Sequence, residues 1–206
     1  SRTRTKNEEW NNMNIQDGIL HVLGHPNLPL KIEAAPEDAQ LQNCRNFCLL
    51  LQKLAIPFKY YGIEGSEIPE GGEFIDCKKA LAEWKYGNTW HKTYNQRLSK
   101  ALQKNIAVDD RPQWIISLYG AAQSDILTQD LPVIEAMLGY DHCWTDYRVF
   151  PSYAHQQHIY TVQKEFTWET RFFDTVIPHF IDLKDYPPFE NKQDYLLYLG
   201  RNAEDK

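Results

Sequence analysis

Basic residues are in short supply: 22 Lys and Arg stand against 28 Asp and Glu, a formal charge of −6 over 206 residues. A nucleic-acid module needs the opposite balance, because its affinity rests on neutralising phosphates. Long apolar runs are missing as well. None approaches the ~18 residues of a membrane span, and no signal-peptide core is expected at the start. Cysteine is scarce, with Cys44, Cys48, Cys77 and Cys143 and no C-x-x-C spacing. Cys44 and Cys48 fall on one face of an expected helix, which reads as reduced thiols in a cytoplasmic protein rather than a disulfide framework. Low-complexity tracts and internal repeats are absent too. What is there is ordinary in bulk and rich in rings. Hydrophobic residues at 42% and charged residues at 24% exclude a disordered chain or a coiled coil, and 12 Tyr with 6 Trp supply both core volume and polar-tipped pockets.

Apolar runs closed by glycine organise the chain. Residues 1–16 carry no apolar period and read as a polar extension. Residues 18–24 form a strand that ends at Gly24, followed by a long Pro-rich loop over 25–36. A helix is expected over 36–55, with Leu41, Cys44, Phe47, Cys48, Leu51 and Leu54 as its apolar stripe. A strand over 57–62 then completes a strand–helix–strand unit, which forces a parallel sheet. Helical stretches follow near 77–85 and 90–105. The run 113–119 looks like a central strand covered on both faces. Residues 131–139 fit a helix or a strand, 152–163 a helix, 173–178 a short strand and 194–200 a buried-type strand. These elements predict a doubly wound, mostly parallel α/β sheet.

Ligands of such sheets sit at the carboxyl ends of the strands. That rule draws attention to Gly24 with His25, residues 62–67, Gly120 to Gln123, residues 140–148, Pro178 with His179, and Gly200 with Arg201. His25 and Gln123 would face a cleft. Glu135 would either orient an acceptor hydroxyl or anchor the loop that follows it, next to Tyr140. Arg148, set among Tyr147, Phe150 and Tyr153, reads as a structural arginine stacked or paired with a carboxylate. His155 and His158 are three apart on a helix, but no third ligand stands at a matching interval, so no metal site is expected. The segment 84–90, with Trp84, Tyr86, Trp90 and the adjacent His91, reads as core or as an aromatic platform.

The stretch Phe172-Phe173-Asp174-Thr175-Val176-Ile177-Pro178-His179-Phe180-Ile181-Asp182, then Tyr195-Leu196-Leu197-Tyr198-Leu199-Gly200-Arg201 and Lys206, resembles the hinge of retaining GT-B glycosyltransferases. The likeness is to the large family-four, glycogen-synthase-like group. Further similarity runs through His21–Gly24, Asn46–Cys48, Tyr61–Glu67, Gly120–Gln123, Glu135, Gly139 with Tyr140, and Tyr147–Phe150 with Ser152–Ala154. Departures are His179, where the family commonly has asparagine, and the loop after Gly24.

The resemblance implies a Rossmann-like acceptor-binding domain over 17–182. Residues 183–206 would be a linker and the first strand of a second, donor-binding domain. It implies transfer of a sugar from a nucleotide-sugar donor to a glycan, lipid-linked or protein acceptor, with retention and with neither metal nor cofactor. Arg201 and Lys206 match the diphosphate-binding pair, whose charge would stabilise the leaving group. A family histidine near the sugar would correspond to His142, His155 or His158, with His158 the chosen cleft candidate. Alone, such a half-cleft is expected to be inactive. The competing expectation is a non-catalytic carbohydrate- or nucleotide-binding module, or an interaction domain whose severed strand associates with a partner or with another copy of the chain.

Overall fold

The computed structural model describes residues 14–33, 38–78, 85–136, 142–164 and 173–180. Among these residues, seven parallel strands form a single sheet. They are β1 (Ile19–Leu23), β2 (Phe58–Gly62), β3 (Gly72–Asp76), β4 (Gln113–Ser117), β5 (Val133–Ala136), β6 (Tyr147–Phe150) and β7 (Thr175–Val176), in the spatial order 3-2-1-4-5-6-7. Helix α1 (Ala39–Lys53) links β1 to β2, α2 (Thr89–Ile106) follows β3, and α3 (Tyr153–Val162) links β6 to β7. The fold is doubly wound and Rossmann-like.

Alternation along the strands feeds two cores. On one face, Leu20 and Val22 of β1, Phe58 and Tyr60 of β2 and Ile116 of β4 meet Leu41, Cys44, Cys48 and Leu51 of α1. On the other, Leu23, Tyr61, Ile115 and Val133 meet Tyr94, Leu98 and Leu102 of α2. Full burial of each leucine in these stripes contributes about 1.5–3 kcal/mol, so helix docking rather than helix propensity holds the layers. A smaller cluster of Cys143, Phe150 and Ile159 seats α3. The strand order reverses between β1 and β4, which pair directly from Ile19↔Gln113 to Val22↔Ile116. Glycine is required at the carboxyl end of β1, where a Cβ on Gly24 would lie 2.4 Å from the Tyr60 hydroxyl and 2.7 Å from the Tyr61 carbonyl.

Several expectations shift. Helix α1 starts later than residue 36, because Asp38 caps it by accepting from the Leu41 N–H at 2.8 Å. Cys77 and Lys78 follow the edge strand β3 instead of opening a helix, and residues 79–84 fall outside the described part. Strands β3 and β6 were not expected. Within 131–139, Val133–Ala136 form strand β5, and 137–139 lie outside the described residues. The polar extension through residue 13 and the whole segment 183–206, with the run 194–200 in it, lie outside the described residues. Among the described residues, no helix is long and apolar enough to cross a membrane.

Candidate functional site

The reversal of strand order opens a crevice at the carboxyl ends of β1 and β4. Its lining is His25, Pro26, His91, Tyr94, Asn95, Tyr119, Ala122 and Gln123, around a cavity of about 70 Å3. Three elements converge there: the turn after β1, the amino-terminal half of α2, and the single 3₁₀ turn Gly120–Gln123 after β4.

A hydrogen-bond network, built of uncharged groups but for Asp125, ties these elements together. Gln123 is buried, donates from Nε2 to the Gly24 carbonyl at 3.3 Å and accepts from the Ser117 hydroxyl at 2.8 Å. Tyr94 donates to the same Gly24 carbonyl at 3.4 Å. Asn95 donates to the Ala122 carbonyl at 2.8 Å and to Asp125, while His91 accepts the Gly87 N–H at 2.8 Å and meets the Ala122 carbonyl through Nε2. The 3₁₀ turn is thus pinned to α2 from below and to β1 from the side. Burial raises the Tyr94 hydroxyl well above its ordinary range, so it stays a neutral donor.

His25 forms the outer wall. Its Nδ1 accepts the backbone N–H groups of Asn27 and Leu28, each at 3.0 Å, which leaves the proton of the neutral ring on Nε2. Its ring meets Tyr119 edge-on at 5.2 Å. Burial lowers its pKa, with Asp38 opposing, so the imidazole is neutral at physiological pH. The crevice therefore offers amide, phenol and neutral imidazole groups beside an aromatic wall. Among the described residues, no lysine, arginine or carboxylate lines it.

Two of the sequence candidates, His25 and Gln123, share this crevice. Glu135 does not. It sits on β5, fully buried, and its Oε2 accepts the backbone N–H of Trp144 at 2.9 Å and of Thr145 at 3.3 Å. Burial pushes its pKa up to about 7 against the lowering effect of those donors and of Arg148. His158 is exposed on α3, its ring 6.2 Å from that of His155. Tyr140, Arg201 and Lys206 lie outside the described residues, as does Trp84. Arg148 is paired with a carboxylate as expected: Nε and Nη2 contact Asp174 at 3.0 and 2.6 Å, and Tyr160 donates to Asp174 at 2.7 Å. Among the described residues, no group of three or more His, Cys, Asp and Glu side chains could hold a metal ion.

Sequence reasoning missed the part played by Tyr94, Asn95 and Tyr119. The signal was present in α2, where His91 and Asn95 interrupt the apolar stripe of Tyr94, Leu98 and Leu102 at helical spacing. A polar residue inside a buried stripe has to find a partner, and here the partner is the turn after β4. No protein-family model matches the chain, and no curated protein matches it either.

Proposed function

We propose that residues 17–182 are the acceptor-side domain of a glycosyltransferase, and that the crevice is one wall of its active site. The observation that carries this reading is the crevice itself. It stands at the strand-order switch of a 3-2-1-4 sheet, where doubly wound folds hold their ligands, and it presents neutral hydrogen-bonding groups beside an aromatic ring. Such a lining suits sugar hydroxyls. A cavity of about 70 Å3 is far below the ~300 Å3 of a site that encloses a small molecule, so a second wall is needed. In this reading residues 183–206 lead into a donor-binding domain, and Arg201 and Lys206 neutralise the diphosphate of a nucleotide sugar as the glycosidic bond breaks. The chain acts in the cytoplasm on a glycan, lipid-linked or protein acceptor, without metal. The fully uncharged lining also favours the simpler alternative, a carbohydrate-binding domain without turnover.

Saturation-transfer NMR with a panel of neutral saccharides and nucleotide sugars tests the reading, alongside an assay of nucleotide release. Saccharide contacts that vanish in His25→Ala and Tyr119→Ala are expected, with negligible release from the chain alone. Contacts that survive both substitutions, or no contact with any saccharide, would overturn it. Release that is sensitive to Arg201→Ala would favour a transferase over a binding domain.

A further inference from the structure

We propose that Glu135 is a proton-operated latch on the segment 142–146, which the neutral carboxyl holds against β5 and β6 and the ionised carboxylate releases. The inference stands apart from the proposed transfer reaction.

The geometry is lopsided. Oε2 receives the Trp144 and Thr145 N–H groups and lies 3.4 Å from the Thr145 hydroxyl. Oε1 is equally buried and has no hydrogen-bond partner among the described residues. A neutral carboxyl tolerates this: it carries its proton on Oε1 and keeps Oε2 as acceptor of the loop amides, and one unbonded O–H costs less than an enclosed charge. A carboxylate does not, because half its charge would sit on an enclosed oxygen with no donor. The nearest cation is Arg148, the register neighbour of Glu135, and its guanidinium is already forked onto Asp174. Among the described residues no other donor stands beside Oε1, so the donors come from water, which enters when the segment moves.

The other groups around Glu135 do not supply the missing charge. Ser117, its neighbour on β4, is uncharged and bonded to Gln123. On the segment, the Cys143 thiol is pushed up to about 12 by burial and stays neutral, while His142 and Asp146 are exposed. Beyond Arg148 stand Asp174 and Tyr160, joined to each other. At the end of α3, Gln163 holds the Cys143 backbone through two hydrogen bonds of 3.2 and 2.8 Å, which makes that residue the fixed end of the segment. Trp144, Thr145 and Asp146 bridge from that residue to the start of β6, where the Thr145 hydroxyl also donates to the Tyr147 carbonyl at 2.9 Å. They also form one side of a cavity of about 340 Å3 between the starts of β5 and β6, so the latch sets the shape of that cavity.

The sign follows from the carboxyl's displacement from 4.5 to about 7 in the fold. Stability contributed by the neutral form is complete below 4.5 and is lost as pH rises through about 7. With 4.5 for the open segment and 7 for the closed one, opening becomes about tenfold more favourable between pH 6 and pH 8.

Hydrogen exchange of the Trp144 and Thr145 amides in the full chain reads this directly. Protection factors, corrected for intrinsic exchange, should fall about tenfold between pH 6 and pH 8. Glu135→Gln should keep the pH 6 level throughout, and His142→Gln should leave the fall intact. A fall that persists in Glu135→Gln, or none in the wild type, overturns the latch. Should Glu135→Gln fail to fold, the carboxyl carbon shift of Glu135 decides in the wild type. It must titrate near 7 in step with the loss of protection, and titration near the ordinary carboxyl value overturns the proposal.

Discussion

At the β1–β4 crevice the buried polar atoms belong to Gln123, Ser117, Asn95 and His91, whereas on β5, on β6 and ahead of β7 they belong to Glu135, Arg148 and Asp174. The first set is almost entirely neutral and bonds largely to backbone carbonyls, so each group is satisfied by atoms that cannot move far. The second set is ionisable, and its members depend on one another. Arg148 and Asp174 have side-chain exposures of 0% and 1%, so neither charge has water to fall back on. The contrast teaches where rigidity and where responsiveness should be sought. A binding wall profits from groups held in place by backbone partners. A buried charge cluster converts one proton or one lost partner into a structural event.

Removing one partner from the charged set should give the largest effect. Asp174→Ala takes its carboxylate away from the buried Arg148 guanidinium, a loss of about 3–5 kcal/mol by denaturant unfolding. The double substitution Arg148→Met with Asp174→Leu should recover most of that loss, and a double variant no better than the single one would erase the distinction between the two regions. An intermediate effect is expected at the crevice floor. Gln123→Ala strips the Gly24 carbonyl and the Ser117 hydroxyl of a shared partner and should cost about 1–3 kcal/mol. Its stability profile should be parallel to wild type between pH 5 and 8, because no titrating group is touched. The smallest effect belongs to the half-buried wall. His25→Ala should lie within about 1 kcal/mol of wild type in thermal unfolding, so that any loss of saccharide contact reflects the wall and not the fold.

Central strands were legible because their sequences obey two rules at once. The runs ending at Gly24, Gly62 and Gly120 are apolar enough for a strand covered on both faces, and glycine marks the stop. Edge and outer strands break one rule each. Strand β3 reads Gly-Glu-Phe-Ile-Asp, is half exposed and carries its charges on an edge that faces water. Strand β6 reads Tyr-Arg-Val-Phe, and an arginine inside a strand is acceptable only because Asp174, distant in sequence, comes to meet it. The site was readable in the same proportion. His25 and Gln123 follow strands directly, so the topological rule finds them. Tyr94 and Asn95 reach the crevice from the side of a helix, and the helical period alone cannot say which end of the sheet that helix overhangs. Glu135 lies inside β5 rather than after it, and its carboxyl is taken up by the amides of Trp144 and Thr145 ahead of β6, so the strand-end rule says nothing of it.

The pairing of β1 with β4 also sets an order of events during synthesis. Leu20 can meet Phe58 as soon as the first strand–helix–strand unit exists, but the other edge of β1 waits for Gln113 to Ile116. The bond between Gln123 and Gly24 spans 99 positions of chain. Until that stretch is made, a nascent chain carries β1 with one open edge, and closing so distant a contact is slow compared with local pairing. The crevice is therefore the seam along which the two halves of the sheet are joined, and it is finished only after the half built on β1 to β3 has a partner to close against.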